Sequence, residues 1–143
     1  MFKTILELKG FPHNYAQHPE GNVYQHTRAC WVLVKKEKRV VRIATLMHDI
    51  GKIKTYKLTE GKHTYHGHDN EVDFLLNVLK KTKFKPTLTK KDINLIIFVF
   101  SNHMRFKKIN EMKKNKKIKL LKHRFVSYLK TISNADDLCR IPK

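Results

Sequence analysis

The chain has 143 residues, 31 lysines and arginines against 12 acidic residues, and a formal net charge of +19. That length fits one domain, residues 1–143, burying roughly two thirds of its unfolded surface and needing no disulfides. Two cysteines, Cys30 and Cys139, form no CxxC pair and read as reduced core thiols of a cytoplasmic protein, and no run approaches the ~20 apolar residues of a membrane span or a signal peptide's core.

In chain order the elements read as helices. Phe2, Ile5, Leu6 and Leu8 space a short amphipathic start, broken at Gly10-Phe11-Pro12. An irregular stretch runs to Gly21. Asn22 suits an N-cap, and Val23, His26, Thr27, Cys30, Trp31 and Val34 recur at helical spacing, with His26 on the inward stripe. Residues 39–50 are apolar almost all round, as expected of a central buried helix, and Gly51 suits its C-terminal cap.

Residues 53–67 read as a polar loop with a turn at Thr59-Glu60-Gly61-Lys62. A helix from Asp69 or Asn70 carries Val72, Leu75, Leu76 and Leu79. Thr89 with Asp92 resembles a capping box opening a strongly apolar helix that reaches His103. Residues 105–117, dominated by lysine, read as a mobile loop or solvated turn. Ile118, Leu121, Phe125, Leu129 and Ile132 form a last stripe toward Asp136. No β alternation of useful length is found.

Four histidines and two aspartates stand out by their order: His26, His48-Asp49, His68, His103, Asp136. Imidazole and carboxylate are what divalent transition metals take as ligands. His48 and Asp49 are adjacent, about 100° apart on a helix, and reach one ion only near the helix end. Asp49 is the natural bridge between two ions, because its carboxylate can give one oxygen to each. His66 can substitute for His68, and Asp137 for Asp136. His13, His18, His63 and His123 read as ordinary surface or loop residues.

The strings HPEGNVYQHT (18–27), LMHDIGK (46–52), YHGHD (65–69), NHMR (102–105) and Ala135-Asp136 resemble the HD superfamily of metal-dependent phosphohydrolases. Within it they are similar to the HD domain attached to bacterial tRNA nucleotidyltransferases. The resemblance covers about residues 17–138. It implies an all-α single-domain bundle of about five to seven helices with a central metal site. It implies one or two divalent ions (Mn, Fe, Co, Ni, Zn or Mg) held by His26, His48, Asp49 and Asp136, with His68 and His103 for a second. It also implies hydrolysis of a phosphate ester of a nucleotide, a cyclic nucleotide or an RNA terminal or 2′,3′-cyclic phosphate. Lys52 and Arg105 match motif cations and are expected to contact phosphate, with Asp49 in the catalytic set.

Ten lysines and arginines lie within residues 105–124, with Glu111 the only acid. They read either as a solvated face or as an electrostatic guide for RNA, DNA or a nucleotide. Two other function classes remain open: a nucleic-acid-binding protein with a non-catalytic metal site, and a di-iron oxygenase.

Overall fold

Asn22 accepts a hydrogen bond from the Gln25 backbone N–H, while Gln25 Oε1 accepts one from the Asn22 N–H at 2.8 Å. Thr89 and Asp92 make the same reciprocal pair. These capping boxes satisfy donors that would otherwise be orphaned and fix where the helices at Val23 and Lys90 begin. The structure, a computed structural model, describes residues 2–140. Met1, residues 141–143 and the Phe2 side chain lie outside the described residues, and so do the ends of the expected domain.

The elements are α1 (Phe2–Glu7), α2 (Val23–Leu33), α3 (Arg39–Met47), α4 (Lys52–Thr55), β1 (Lys57–Thr59), β2 (Lys62–Thr64), α5 (Val72–Lys81), α6 (Lys90–Lys107), α7 (Lys114–Leu121) and α8 (Val126–Leu138). Short 3₁₀ turns follow α1, precede α5 and follow α6. The expected all-α class holds: the described residues form seven helices of more than one turn, within the five to seven expected, and α4 is a further single turn. α3 is central, packed against α2, α6 and α8. Its Val41, Ala44 and Met47 meet Ile96, Val99 and Phe100 of α6 and Leu129 and Ile132 of α8 in one buried apolar cluster. No described helix is long and apolar enough to cross a membrane.

Four expectations are corrected. The 53–67 loop holds an antiparallel hairpin, Lys57 opposite Thr64, turning on Glu60 (φ 50°) and Gly61 (φ 75°). Its strands are three residues each and largely exposed, so they leave no alternation to read. The 105–117 stretch is ordered: α6 runs to Lys107, a 3₁₀ turn spans Ile109–Glu111, and α7 starts at Lys114. Ile109 and Met112 pack on the core and hold it there. The last stripe is split between α7 and α8 by a turn at residues 122–125.

The fourth correction is Gly51. α3 ends at Met47, and the chain winds through His48–Gly51 directly into α4. Gly51 has φ −59° and ψ −20°, which any residue adopts, so it is no left-handed cap. Its reason is space: a Cβ there would lie 2.0 Å from the His68 carbonyl oxygen and 3.1 Å from Phe100 Cζ. The glycine lets the turn after His48-Asp49 press against the turn that carries His68. Gly51→Ala should therefore cost about 2 kcal/mol or more, as overpacking against backbone does. Gly10→Ala, where nothing lies within 4 Å, is the control, and thermal unfolding of the two variants checks the difference.

Candidate metal centre

Five stretches of chain converge on Asp49. Its Oδ2 lies 3.5 Å from His26 Nε2 (α2), 3.4 Å from His48 Nε2 and 3.0 Å from Lys52 Nζ. Its Oδ1 lies 3.2 Å from His68 Nε2 and 3.4 Å from His103 Nε2 (α6). Asp136, on α8, is 2.9 Å from His26 Nε2 through Oδ1. All six of the predicted His and Asp residues are buried. Of the two pairs left open by sequence, Asp136 and His68 point inward, whereas His66 and Asp137 are exposed.

The histidines are oriented from behind. His48, His68 and His103 each present Nδ1 to the carbonyl three residues earlier, on Thr45 (2.6 Å), Tyr65 (3.0 Å) and Phe100 (2.8 Å). A carbonyl only accepts, so each Nδ1 donates and each ring turns its Nε2 toward Asp49. His26 differs: Nδ1 faces Glu20 Oε1 at 2.5 Å while Nε2 faces Asp136. Burial opposes its charge, but the hydrogen bonds with Asp136, Cys139 and Glu20 raise its pKa well above the ordinary value. Burial likewise works against Asp49 and Asp136, yet their cationic and imidazole neighbours hold both carboxyls well below the usual range. Burial lowers the pKa of His103.

These residues fit a divalent ion. His48 Nε2 is buried without a hydrogen-bond partner. His68 Nε2 and His103 Nε2 are only 3.0 Å apart. With both Nδ1 atoms committed to carbonyls, two imidazole nitrogens converge beside a carboxylate, a donor arrangement that suits a cation. The donor atoms form two groups that share Asp49: His26, His48 and Asp49, and Asp49, His68 and His103. Histidine and carboxylate donors suit transition metals over magnesium.

The cluster floors a cavity of about 470 Å³. One wall is the irregular stretch after α1, tied to the hairpin: Asn14 Nδ2 donates to the His63 carbonyl at 2.9 Å, and Tyr65 Oη donates to the Pro12 carbonyl at 2.5 Å. His13 and His18 stack there with ring centres 3.7 Å apart. Lys52 donates to His13 Nε2 at 3.0 Å, and burial with that lysine pushes the His13 pKa down to about 2. Lys107 and Arg140 complete the lining; Arg140 donates to Asp136 Oδ1 at 3.0 Å. Lys107 Nζ sits 2.5 Å from Asp136 Oδ2, in ion-pair contact without hydrogen-bond geometry.

Arg105, expected at the phosphate, is exposed, bonds Asn102 Oδ1 and does not line the cavity. It stands two residues from His103, about 200° around the helix. Lys107 and Arg140 stand four residues beyond His103 and Asp136, on the same faces, and that spacing was the available signal. His13, His18 and His63 also line the cavity instead of lying in ordinary surface positions. His123 stacks on Phe98, centres 3.9 Å apart. The signal for His18 and Glu20 was their place in the HPEG string, where Glu20 proves to bridge His18 and His26.

A family model for the HD domain matches residues 15–141. The chain belongs to the HD-domain family. HD domains bind divalent metals and are in general metal-dependent hydrolases, and the histidine–aspartate groups of this HD domain match that property. The match is to the HD domain as such and does not single out the tRNA nucleotidyltransferase branch. No curated protein and no solved structure matches the chain.

The charged His26 gives this HD domain a pH signature. An entering cation must displace its proton, so affinity is weaker below the raised pKa and strengthens as pH climbs toward it. Mn²⁺ or Zn²⁺ affinity should rise by up to about tenfold per pH unit across neutrality, with about one proton released per ion. Calorimetry in buffers of different ionisation enthalpy measures both; a flat profile with no proton release would contradict the assignment.

Proposed function

We propose that this HD domain is a metal-dependent phosphohydrolase that cleaves a phosphate ester of a nucleotide, a cyclic nucleotide or an RNA end. The observation that carries the reading is Asp49, whose two oxygens face separate histidine pairs at 3.2–3.5 Å on the floor of a cation-lined cavity. His26, His48, Asp49 and Asp136 would hold one ion, and Asp49, His68 and His103 a second. When bound, such ions make water a nucleophile near neutral pH and polarise phosphoryl oxygens.

The chain's own residues do the rest. Lys52 and Lys107 bring ammonium groups to the cavity floor, and Arg140 brings a guanidinium able to grip two phosphoryl oxygens. Their charges offset the negative charge that grows at phosphorus in the transition state. Neutral His13, its Nε2 held by Lys52, keeps that ammonium aimed inward. Tyr65 and the stacked His13–His18 pair form an aromatic wall against which a base or ribose can lie. The exposed lysines of α7, Lys114, Lys116 and Lys119, continue the positive field away from Lys107 and suit a polyanionic substrate.

Purified protein loaded with Mn²⁺ should hydrolyse bis-p-nitrophenyl phosphate, and a screen of 2′,3′-cyclic nucleotides, nucleotides and short RNAs should narrow the substrate. His48→Ala and Asp49→Ala should abolish turnover while helicity by circular dichroism persists. Lys107→Ala and Arg140→Ala should each lower kcat/KM by about 10- to 100-fold, roughly 1.4–2.8 kcal/mol, with Arg105→Ala close to wild type. Metal binding without any hydrolysis would favour a binding module instead. RNA affinity should fall with salt at a log–log slope of about −0.7 per phosphate neutralised; a slope near zero would remove α7 from the binding face.

A further inference from the structure

Behind the proposed metal centre lies a second donor cluster, whose two cysteines the phosphohydrolase reading does not use. α2 carries His26 and Cys30 one turn apart, and α8 carries Asp136, with Cys139 three residues on, just past its end. The two helices pack together, and this brings Cys30 Sγ and Cys139 Sγ to 2.9 Å. Cys30 is fully buried and Cys139 partly so. Cys30 Sγ is 3.6 Å from His26 Nε2, and Cys139 Sγ is 3.3 Å from His26 Nδ1. One donor atom from each of the four residues falls within 4.8 Å of all the others.

We infer that Cys30, Cys139, His26 and Asp136 form a separate position for a thiophilic cation such as Zn²⁺ or Cd²⁺. Two sulfurs, one imidazole nitrogen and one carboxylate oxygen are a tetrahedral donor set of the soft kind that thiolates impose. Two Zn–S bonds of about 2.3 Å at a tetrahedral angle put the sulfurs roughly 3.8 Å apart. Small side-chain rotations about Cys30 and Cys139 open the present 2.9 Å contact that far. Each thiol gives its proton to solvent as its sulfur–metal bond forms, and the charged His26 ring gives up one as well, so binding releases up to three protons.

The position shares His26 and Asp136 with the centre at Asp49. An ion there withdraws two ligands from the proposed catalytic pair, so a thiophilic metal inhibits where Mn²⁺ activates. This consequence rests on the proposed function; the binding position itself does not.

The test is a titration of reduced, metal-free protein with Cd²⁺, followed by the ultraviolet sulfur-to-cadmium charge-transfer band. Wild type should develop the band with an end point of one ion carrying two sulfurs. Cys30→Ser/Cys139→Ser should lose it, and Cys139→Ser alone, at the less buried position, should lose about half. Mn²⁺ binding read by electron paramagnetic resonance should persist in both variants, showing that they fold and that the Asp49 centre is intact. A wild-type titration without the band, or a band that survives in the double variant, would overturn the inference. So would a sulfur pair that closes to a disulfide and binds no cadmium after reduction. If Mn²⁺ binds but no ester is cleaved, the proposed function fails while the cadmium result still decides the thiolate position.

Discussion

A carboxylate buried at the centre of a bundle is expensive unless each of its oxygens is met, by several kcal/mol for an unpaired charge. Asp49 meets that cost by drawing α2, the turns after α3 and β2, α4 and α6 to within hydrogen-bonding or ion-pair distance. The apolar cluster of α3, α6 and α8 supplies the driving force for packing, but it does not fix the rotation of the helices about their axes. The carboxylate does, because each partner must present one particular nitrogen. The same local device serves three histidines, an Nδ1–H donated to the carbonyl three residues earlier. Orientation of the rings is thus encoded in the short segment each occupies, and only convergence is left to the tertiary fold.

Gly51 shows how tightly that convergence is drawn. Its missing Cβ lets the chain after Asp49 lie against the His68 carbonyl. The same contact seats the 3₁₀ turn, and behind it the hairpin that Asn14 clasps through both backbone groups of His63. The cavity wall and the cavity floor are therefore one mechanical unit. A change at Gly51 reaches the histidine–aspartate cluster and the cavity wall together.

Much of this was legible in the sequence, and the divide follows a physical line. Capping residues at Asn22 and Thr89, the apolar faces, and the order of the six ligand-type residues are local or periodic, and a single string displays them. Lys52 stands in the HDIGK string and lines the cavity as expected; Lys107 and Arg140 sit one turn from His103 and Asp136, a spacing that marks them only once the helix faces are known, whereas Arg105 of the NHMR string lies two residues from His103 on another face. His13 and His18 lie in an irregular stretch with no period, so only the crossing of that stretch over the hairpin brings them to the cavity. The contact of Cys30 with Cys139 depends on the packing of two helices over a hundred residues apart in sequence, which no local pattern records. The hairpin strands are too short and too exposed to alternate.

The distribution of charge ties metal to substrate. Without an ion, the carboxylates of Asp49 and Asp136 are balanced by Lys52, Lys107, Arg140 and the protonated ring of His26. On the proposed reading, the histidines and the carboxylates that Lys52 and Lys107 now face would hold the cation, and His26 would give up its proton. Two ammonium groups and a guanidinium are then left facing a cavity with their partners claimed. Such groups are costly in a half-enclosed space and cheap beside a dianion. Metal loading would thus prepare the phosphate site, and a bound phosphate would in turn steady the ions. By linkage the two affinities would strengthen each other by the same factor, so on this reading cations and phosphate form a single electrostatic assembly centred on one carboxylate.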